Sequence, residues 1–199
     1  MIDNKRKVGD YEVITSFHIG DKEIILGENM NDAHGLFYMT CEAESNEIFE
    51  LYSNVLSSDD FIEIAELYAN RIKEQVEKTK TELNKNPYPH SIISADMCEK
   101  EQNESWVGKI VAVNPDVLRA EYRTASHQIM LCTGGNGATP KGLGSSVFGK
   151  RFFKDGETKF YRPDIMGVLK EEYYPEWLKE TLKNEQHKKP HKKHEEVER

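Results

Sequence analysis

One apolar stripe in the middle of the chain constrains the fold more than any other feature. Its members recur at spacings of three, four or seven residues, the repeat of one helix face: Phe61, Ile64, Ala65, Tyr68, Ile72, Val76 and Leu83. Residues 57–60 read Ser-Ser-Asp-Asp and supply a hydroxyl cap with two carboxylates in the first turn, where the helix dipole favours negative charge. The pattern predicts a helix of about seven turns that ends near Asn84.

Prolines at positions 87 and 89 prevent this helix from continuing and mark the predicted domain boundary. Ahead of the helix, β-branched and aromatic runs at 10–19 and 22–27 flank Gly20, a pattern typical of a hairpin. Two further strands are expected at 36–41 and 48–52. Residues 1–86 are therefore predicted to form a ββββα module, in which the long helix lies across a small antiparallel sheet.

Residues 87–183 are predicted to form a second small, mostly β module, so that the chain as a whole is α+β. Its strands are expected at 106–113, 122–132, 146–153, 158–161 and 165–169, with a helical turn that begins at Asn114-Pro115. Pro175 opens a final helix, whose inner side is predicted to carry Trp177, Leu178 and Leu182. Residues 184–199 are dense in charge and are predicted to be a disordered tail.

The formal net charge of −8 is unevenly distributed. Residues 1–100 carry 10 Lys and Arg against 20 Asp and Glu, whereas residues 105–170 carry 10 against 5. Such a division suggests two surfaces with different partners, although chance variation gives the same picture. The three cysteines are widely spaced and form no CxxC pair, and no apolar run approaches the roughly 20 residues of a membrane helix. These features predict reduced cysteines, no membrane partner and a cytoplasmic location.

A glycine-dense loop at residues 133–144 is the most distinctive motif. It contains Gly134, Gly135, Asn136 and Gly137, and further glycines at 142 and 144. Backbone N–H groups in such a loop can turn towards an anion, but the loop matches neither a Walker A motif nor a GxGxxG fingerprint. Two interpretations stay open, a structural crossover loop and a contact loop for a macromolecule.

Basic residues follow this loop and alternate with aromatic ones, a composition that suits phosphate contact combined with base stacking. The basic candidates for partner or nucleic-acid binding are Arg123, Lys141, Lys150, Arg151, Lys154 and Arg162. The interleaved aromatics include Phe152, Phe153 and Phe160. These three lie in predicted strands, so the alternative is that they belong to the core.

Acidic residues are concentrated in the first module. The candidates for a negative face that docks on a basic partner groove are Glu44, Glu47, Asp59, Asp60 and Glu63. Ordinary solvated surface is the alternative interpretation.

The sequence offers no catalytic constellation and no metal or cofactor motif: HExxH, GxSxG and DxD are all absent. Ser126 and His127 are adjacent, but on the predicted strand they point to opposite faces and cannot act as nucleophile and base. The three histidines in the final residues suggest adventitious metal affinity only. The chain therefore reads as a binding protein rather than an enzyme.

Several segments resemble proteins of conjugative and integrative mobile elements of Gram-positive bacteria. In the front module the resemblance is carried by YEVITSFHIGDKEIILG at 11–27. In the rear it is carried by LRAEYR at 118–123, His127-Gln128, TGGNGA at 133–138, Val147-Phe148, RPDIMG at 162–167 and PEW at 175–177. The chain departs from the family pattern at Leu143 and Ser145, where relatives often carry arginine, and this weakens a nucleic-acid role for the loop.

This family includes type II anti-CRISPR proteins, so the resemblance implies an anti-defence protein. The implied partner is a type II CRISPR effector nuclease and its guide RNA, inhibited by binding and without any cofactor. Two alternatives stay open: a metal-dependent nuclease that acts on guide RNA or DNA, and a single-stranded nucleic-acid-binding accessory of conjugative transfer.

Overall fold

The computed structural model describes residues 6–45, 50–100, 104–140 and 142–187 of the 199-residue chain. The chain divides into two compact units, Met1–Pro87 and Tyr88–Arg199, which we call the front unit and the rear unit. Its architecture is α+β, as predicted: an antiparallel sheet with one long helix is followed by a second sheet and a C-terminal helix. No helix within the described ranges is long and apolar enough to cross a membrane.

The front unit contains a five-stranded antiparallel meander in which each strand pairs with the next along the chain. Its strands are β1 (Lys7–Val8), β2 (Tyr11–Ile19), β3 (Lys22–Glu28), β4 (Tyr38–Ser45) and β5 (Glu50–Ser58). The short β1 adds to the four predicted strands, and β5 extends well beyond the predicted 48–52. A shift in the β4–β5 register coincides with Asn54, whose φ of 53° is the only positive value at a non-glycine residue in the described ranges. This geometry is that of a β-bulge.

The predicted long helix is present as α1 (Phe61–Asn84), with Asp60 as its N-cap. The Asp60 carboxylate accepts hydrogen bonds from the backbone N–H groups of the second and third helical residues, Ile62 and Glu63. The helix packs on strands β2 to β5, which is the predicted arrangement.

The predicted apolar stripe of α1 is only partly correct. Ile64 is buried, but Phe61 is 42% exposed and the other two buried positions are the polar Gln75 and Thr79. The Gln75 amide donates to the Ile19 carbonyl at 3.3 Å and to the Asp21 carboxylate at 2.8 Å. The helix therefore anchors to the β2–β3 turn through hydrogen bonds, which a search for apolar periodicity does not detect.

One apolar cluster of the front unit consists of Val8, Ile25, Met39, Cys41 and Ala43, with partly buried Tyr11, Val13 and Tyr52 packed against it. Arg6 lies beside this cluster and forms ion pairs with Glu23 and Glu50. The hydrogen bond to Arg6 is the largest influence on the pKa of Glu23, which lies below its usual value. At neutral pH this carboxylate is ionised and paired.

The rear unit contains a six-stranded antiparallel sheet with the spatial order β10-β9-β8-β7-β11-β6. The strands are β6 (Cys98–Glu99), β7 (Ile110–Val113), β8 (Ile129–Gly134), β9 (Ser146–Lys150), β10 (Glu157–Tyr161) and β11 (Ile165–Leu169). Alternate residues of the strands enter two separate apolar clusters. Ile110, Ala112 and Ile129 belong to one, whereas Val111, Val113 and Met130 belong to the other. The sheet is therefore covered on both faces.

The prediction of one long strand at 122–132 is wrong. The segment contains a 3-10 turn (Ala120–Tyr122), a short helix α2 (Ala125–Gln128) and only then β8. The buried Gln128 accounts for the difference, because its amide bonds to both backbone groups of Ile93 and to the Val113 carbonyl. These distant partners favour a helical turn where local propensity favours a strand.

The remaining predicted elements of the rear unit differ mainly in their ends. The strand predicted at 106–113 begins only at Ile110, after a turn at Gly108 with φ of 82°, and the strand predicted at 146–153 ends at Lys150. The final helix α3 (Glu176–His187) buries Leu178 completely. Residues 184–187, predicted as part of the tail, are the last residues of α3, and the rest of that predicted tail lies outside the described residues.

Candidate nucleic-acid interface

The glycine loop connects β8 to β9, and three of its glycines are required by close backbone contacts. A Cβ atom would lie 2.3 Å from the Ser146 carbonyl oxygen at Gly135, 2.3 Å from the Ser145 carbonyl oxygen at Gly137 and 1.8 Å from the Asn136 carbonyl oxygen at Gly142. The chain thus packs against itself at distances that exclude a side chain. This packing favours the structural interpretation of the loop.

Arg162 holds the same loop in place. Its guanidinium donates to the Gly137 carbonyl and lies over the Trp106 ring, with 3.9 Å between the guanidinium carbon and the ring centroid. The backbone N–H of Trp106 donates in turn to the Ala138 carbonyl at 2.8 Å. A residue predicted to bind a partner therefore has a structural role inside the rear unit.

A strip of aromatic and basic side chains lies on the outer face of the β9–β10 hairpin. Phe148 and Lys150 are two residues apart on β9 and so share a face, and Lys159 of β10 lies opposite Phe148. Tyr161 shares the face of Lys159, and the Lys159 ammonium lies 5.1 Å from the centre of the Tyr161 ring. Phe148 is 37% exposed and Tyr161 46%. We call Phe148, Lys150, Lys159 and Tyr161 the hairpin strip.

A cleft of about 380 Å³ begins where β9 ends. It is lined by Leu131, Lys150, Arg151, Phe152, Phe153, Lys154, Asp155 and Glu185. Three of the six predicted basic residues, Lys150, Arg151 and Lys154, therefore come together here. These three residues meet because they lie at the end of β9 and in the turn that follows it. Lys150 also belongs to the hairpin strip. The volume falls within the range of small-molecule sites.

Behind the cleft lies a cluster of buried polar side chains around His127. The Thr124 hydroxyl is 2.8 Å from His127 Nδ1, and the Ser126 hydroxyl is 3.5 Å from the same nitrogen. The assumption that Ser126 and His127 point in opposite directions is wrong, because both lie on α2 rather than on a strand. The ring of Phe153, which lines the cleft, packs edge-on against His127 at 4.7 Å between centroids.

The electrostatics of this cluster keep His127 neutral near pH 7. Burial is the main reason that the pKa of His127 falls to about 4, and the positive charges of Arg151 and Lys154 lower it further. A neutral imidazole with so low a pKa is a weak base. The cluster therefore adds hydrogen-bonding groups behind the cleft but adds no further positive charge to that of the three basic residues.

Of the other predicted basic residues, those that the structure describes do not line the cleft. Arg123 donates from Nε to the Leu118 carbonyl at 3.1 Å, and Lys141 lies outside the described residues. Leu143 is fully exposed at the tip of the glycine loop. The loop therefore presents an apolar tip, and the exposed basic surface is on the hairpin.

The predicted acidic residues have mixed roles. Asp60 caps α1, Glu63 accepts a hydrogen bond from Ser58 at 2.5 Å, and Glu44 lies 3.4 Å from the Lys22 ammonium. Asp59 has no ion pair with any other described residue, and Glu47 is not among the described residues. Much of this negative charge thus stabilises the front unit, while the carboxylates of Asp59, Asp60 and Glu63 remain exposed near the start of α1.

The structure adds two observations on other reactive side chains. Within the described ranges, no group of three or more His, Cys, Asp or Glu side chains is placed to hold a metal ion. The three cysteines are buried and unpaired, and burial raises the pKa of both Cys41 and Cys98 to about 11. These thiols are protonated at neutral pH and pack as small apolar groups.

Three residues of the hairpin strip, Phe148, Lys159 and Tyr161, were not among the site residues predicted from the sequence. The alternation of Phe148 with Lys150 and of Lys159 with Tyr161 is the signal that identifies the strip, once the two strands are known to pair. Comparisons with protein-family models, with curated proteins and with solved structures found no match to this chain.

Proposed function

We propose that this chain is an anti-CRISPR protein that binds a type II RNA-guided nuclease together with its guide RNA, and that its rear unit contacts the RNA. The supporting observation is the hairpin strip, where two exposed aromatic rings alternate with two lysines on a single sheet face. Single-stranded nucleic acid is bound by this combination, because bases stack on the rings and phosphates contact the cations.

The front unit supports the protein half of this interaction. Residues 1–100 carry a net charge of −10, and exposed carboxylates surround the start of α1. A nuclease that holds RNA and DNA needs basic grooves, and an acidic surface is attracted to such grooves over a Debye length of about 8 Å at physiological salt. The resemblance of residues 11–27 and of the rear segments to mobile-element proteins supplies the choice of a type II effector.

The proposed inhibition requires no chemistry. A chain that occupies a basic groove of the nuclease with carboxylates and contacts its guide RNA with the hairpin strip prevents target DNA from using the same surfaces. The weak base His127 and the protonated thiols agree with a role in binding.

Co-purification with a type II effector nuclease tests the proposal. We expect the chain to be retained at physiological salt, and more strongly when guide RNA is loaded. Phe148→Ala is expected to weaken retention on the RNA-loaded complex about tenfold, since one stacked base contributes roughly 1–3 kcal/mol. Phe17→Ala is the matched control, because Phe17 is also a strand residue and is 45% exposed, but in the front unit. Absence of any complex, with or without RNA, would refute the proposal.

A second candidate, a single-stranded nucleic-acid-binding accessory of conjugative transfer, is also supported by the hairpin strip. Stacking and phosphate contact do not depend on base sequence or on a protein partner. Fluorescence anisotropy with labelled single-stranded DNA separates the two functions. Tight DNA binding without any effector complex would favour the accessory role. In either case, Lys150→Met is expected to reduce the slope of log K against log salt by about 0.7, the value for one phosphate contact on a single strand.

A further inference from the structure

Among the charged residues of the described chain, Arg151 is distinguished by a buried donor atom that has no hydrogen-bond partner. Its Nε atom is buried and has no hydrogen-bond partner among the described residues. Its guanidinium carbon lies 5.9 Å from the centre of the Phe160 ring. Burial lowers the pKa of this arginine, and a guanidinium nevertheless stays charged.

Arg151 as a whole is half-buried, and a partly desolvated cation with an unused donor is costly unless an anion accompanies it. Among the described residues, no carboxylate forms an ion pair with Arg151, Lys150 or Lys154. The buried His127 beside them is neutral, because burial and then the charges of Arg151 and Lys154 lower its pKa. The described part of the rear unit therefore gathers three cations around one cleft and forms no ion pair with them.

The other groups that line the cleft suit the remaining parts of a nucleotide. Phe152 and Phe153 offer aromatic surface, and the carboxylates of Asp155 and Glu185 stand at the same cleft. Carboxylates accept hydrogen bonds from ribose hydroxyls and from base amino groups. A cleft of cations alone would suit a bare anion, whereas this mixture suits an anion that is attached to a sugar and a base.

We infer that the cleft binds one nucleotide, with its phosphate held by Arg151 and supported by Lys150 and Lys154. Lys150 belongs to both the cleft and the hairpin strip, so the two surfaces adjoin each other. The inference deepens the proposed function and rests on it only for the identity of the RNA.

The test is a titration of the full chain with uridine 5′-monophosphate, inorganic phosphate and uridine, followed by amide NMR shifts and isothermal calorimetry. We expect the monophosphate to bind more tightly than inorganic phosphate and the nucleoside to bind least. Arg151→Met is expected to weaken monophosphate binding about ten- to hundredfold, the effect of losing charge-assisted hydrogen bonds. Arg119→Met is the matched control, since Arg119 is an exposed arginine of the same unit that does not line the cleft.

Lys154→Met provides a second variant, because Lys154 is exposed and its removal leaves the packing intact should Arg151→Met fail to fold. It is expected to weaken monophosphate binding about three- to tenfold. Absence of monophosphate binding, or equal weakening by Arg119→Met, would overturn the inference. A chain that loses monophosphate binding in these variants but never co-purifies with an effector would overturn the proposed function alone. A chain that forms the effector complex but binds no monophosphate would overturn this inference alone.

Discussion

Removal of the Arg162 side chain is expected to destabilise the rear unit more than removal of any exposed lysine of the hairpin strip. The guanidinium forms a charge-assisted hydrogen bond with the Gly137 carbonyl and lies 3.9 Å above the Trp106 ring. In Arg162→Ala both interactions are lost, while the backbone N–H of residue 162 still donates to the Ser145 carbonyl. The loop then keeps its course but loses the contact that fixes it.

The magnitude follows from the two lost contacts. A hydrogen bond from a charged donor contributes about 1.5–3 kcal/mol, and a cation–π contact contributes about 0.5–2 kcal/mol depending on how far it is desolvated. Arg162 is only half-buried, so the lower part of each range applies. We expect the free energy of unfolding of the rear unit to fall by about 2–3 kcal/mol. Arg162→Lys keeps the charge but not the planar stacking, and about half of that loss is expected.

Urea unfolding followed by tryptophan fluorescence measures this loss in the rear unit alone. The chain has two tryptophans, Trp106 and Trp177, and both lie in the rear unit. The emission of Trp106 is also expected to change in the folded variant, because the guanidinium no longer covers its ring. A loss below about 0.5 kcal/mol lies within the range of ordinary surface substitutions. It would refute the structural role of Arg162 in holding the glycine loop, and Arg162 would again be a candidate for partner binding.

Two further outcomes follow from other contacts of the rear unit. Gly142→Ala is expected to lower its free energy of unfolding by about 1–3 kcal/mol, because the new Cβ would lie 1.8 Å from the Asn136 carbonyl oxygen. Gly134→Ala, which meets nothing within 4 Å, is the matched control and is expected to change stability little in the same urea assay. The pKa of about 4 at His127 makes the rear unit less stable as pH falls from about 6.5 to 4, because the unfolded chain binds this proton first. The free energy of unfolding is expected to change by up to about 1.4 kcal/mol per pH unit in this range. Unfolding curves measured at several pH values should show a smaller pH dependence in His127→Asn.

The long helix and the sheets of this chain were largely predictable from local signals. The cap at Asp60 and the apolar repeat fix the start and the direction of α1, and turn residues such as Gly20 separate the strands of the meander. These signals depend on the backbone preferences of a few neighbouring residues. The prediction failed where a distant partner decides, at Gln75 in α1 and at Gln128 before β8. A buried amide bonded to backbone groups far along the chain leaves no periodic trace in the sequence.

The sequence predicted the kinds of residue in the candidate site, but not which individual residues form it. The sequence indicates a rear unit rich in basic and aromatic residues, but its arginines have three different environments. Arg162 is bonded to the glycine loop, Arg123 to the Leu118 carbonyl, and Arg151 is half-buried with an unused Nε donor. The first two already have a partner inside the rear unit, and their exchange for a ligand would break a contact that holds the fold. Arg151 has no such hydrogen bond to another described residue, and its side chain lines the cleft. For this reason the arginine that is least satisfied within the fold is the one most suited to recognise an anion.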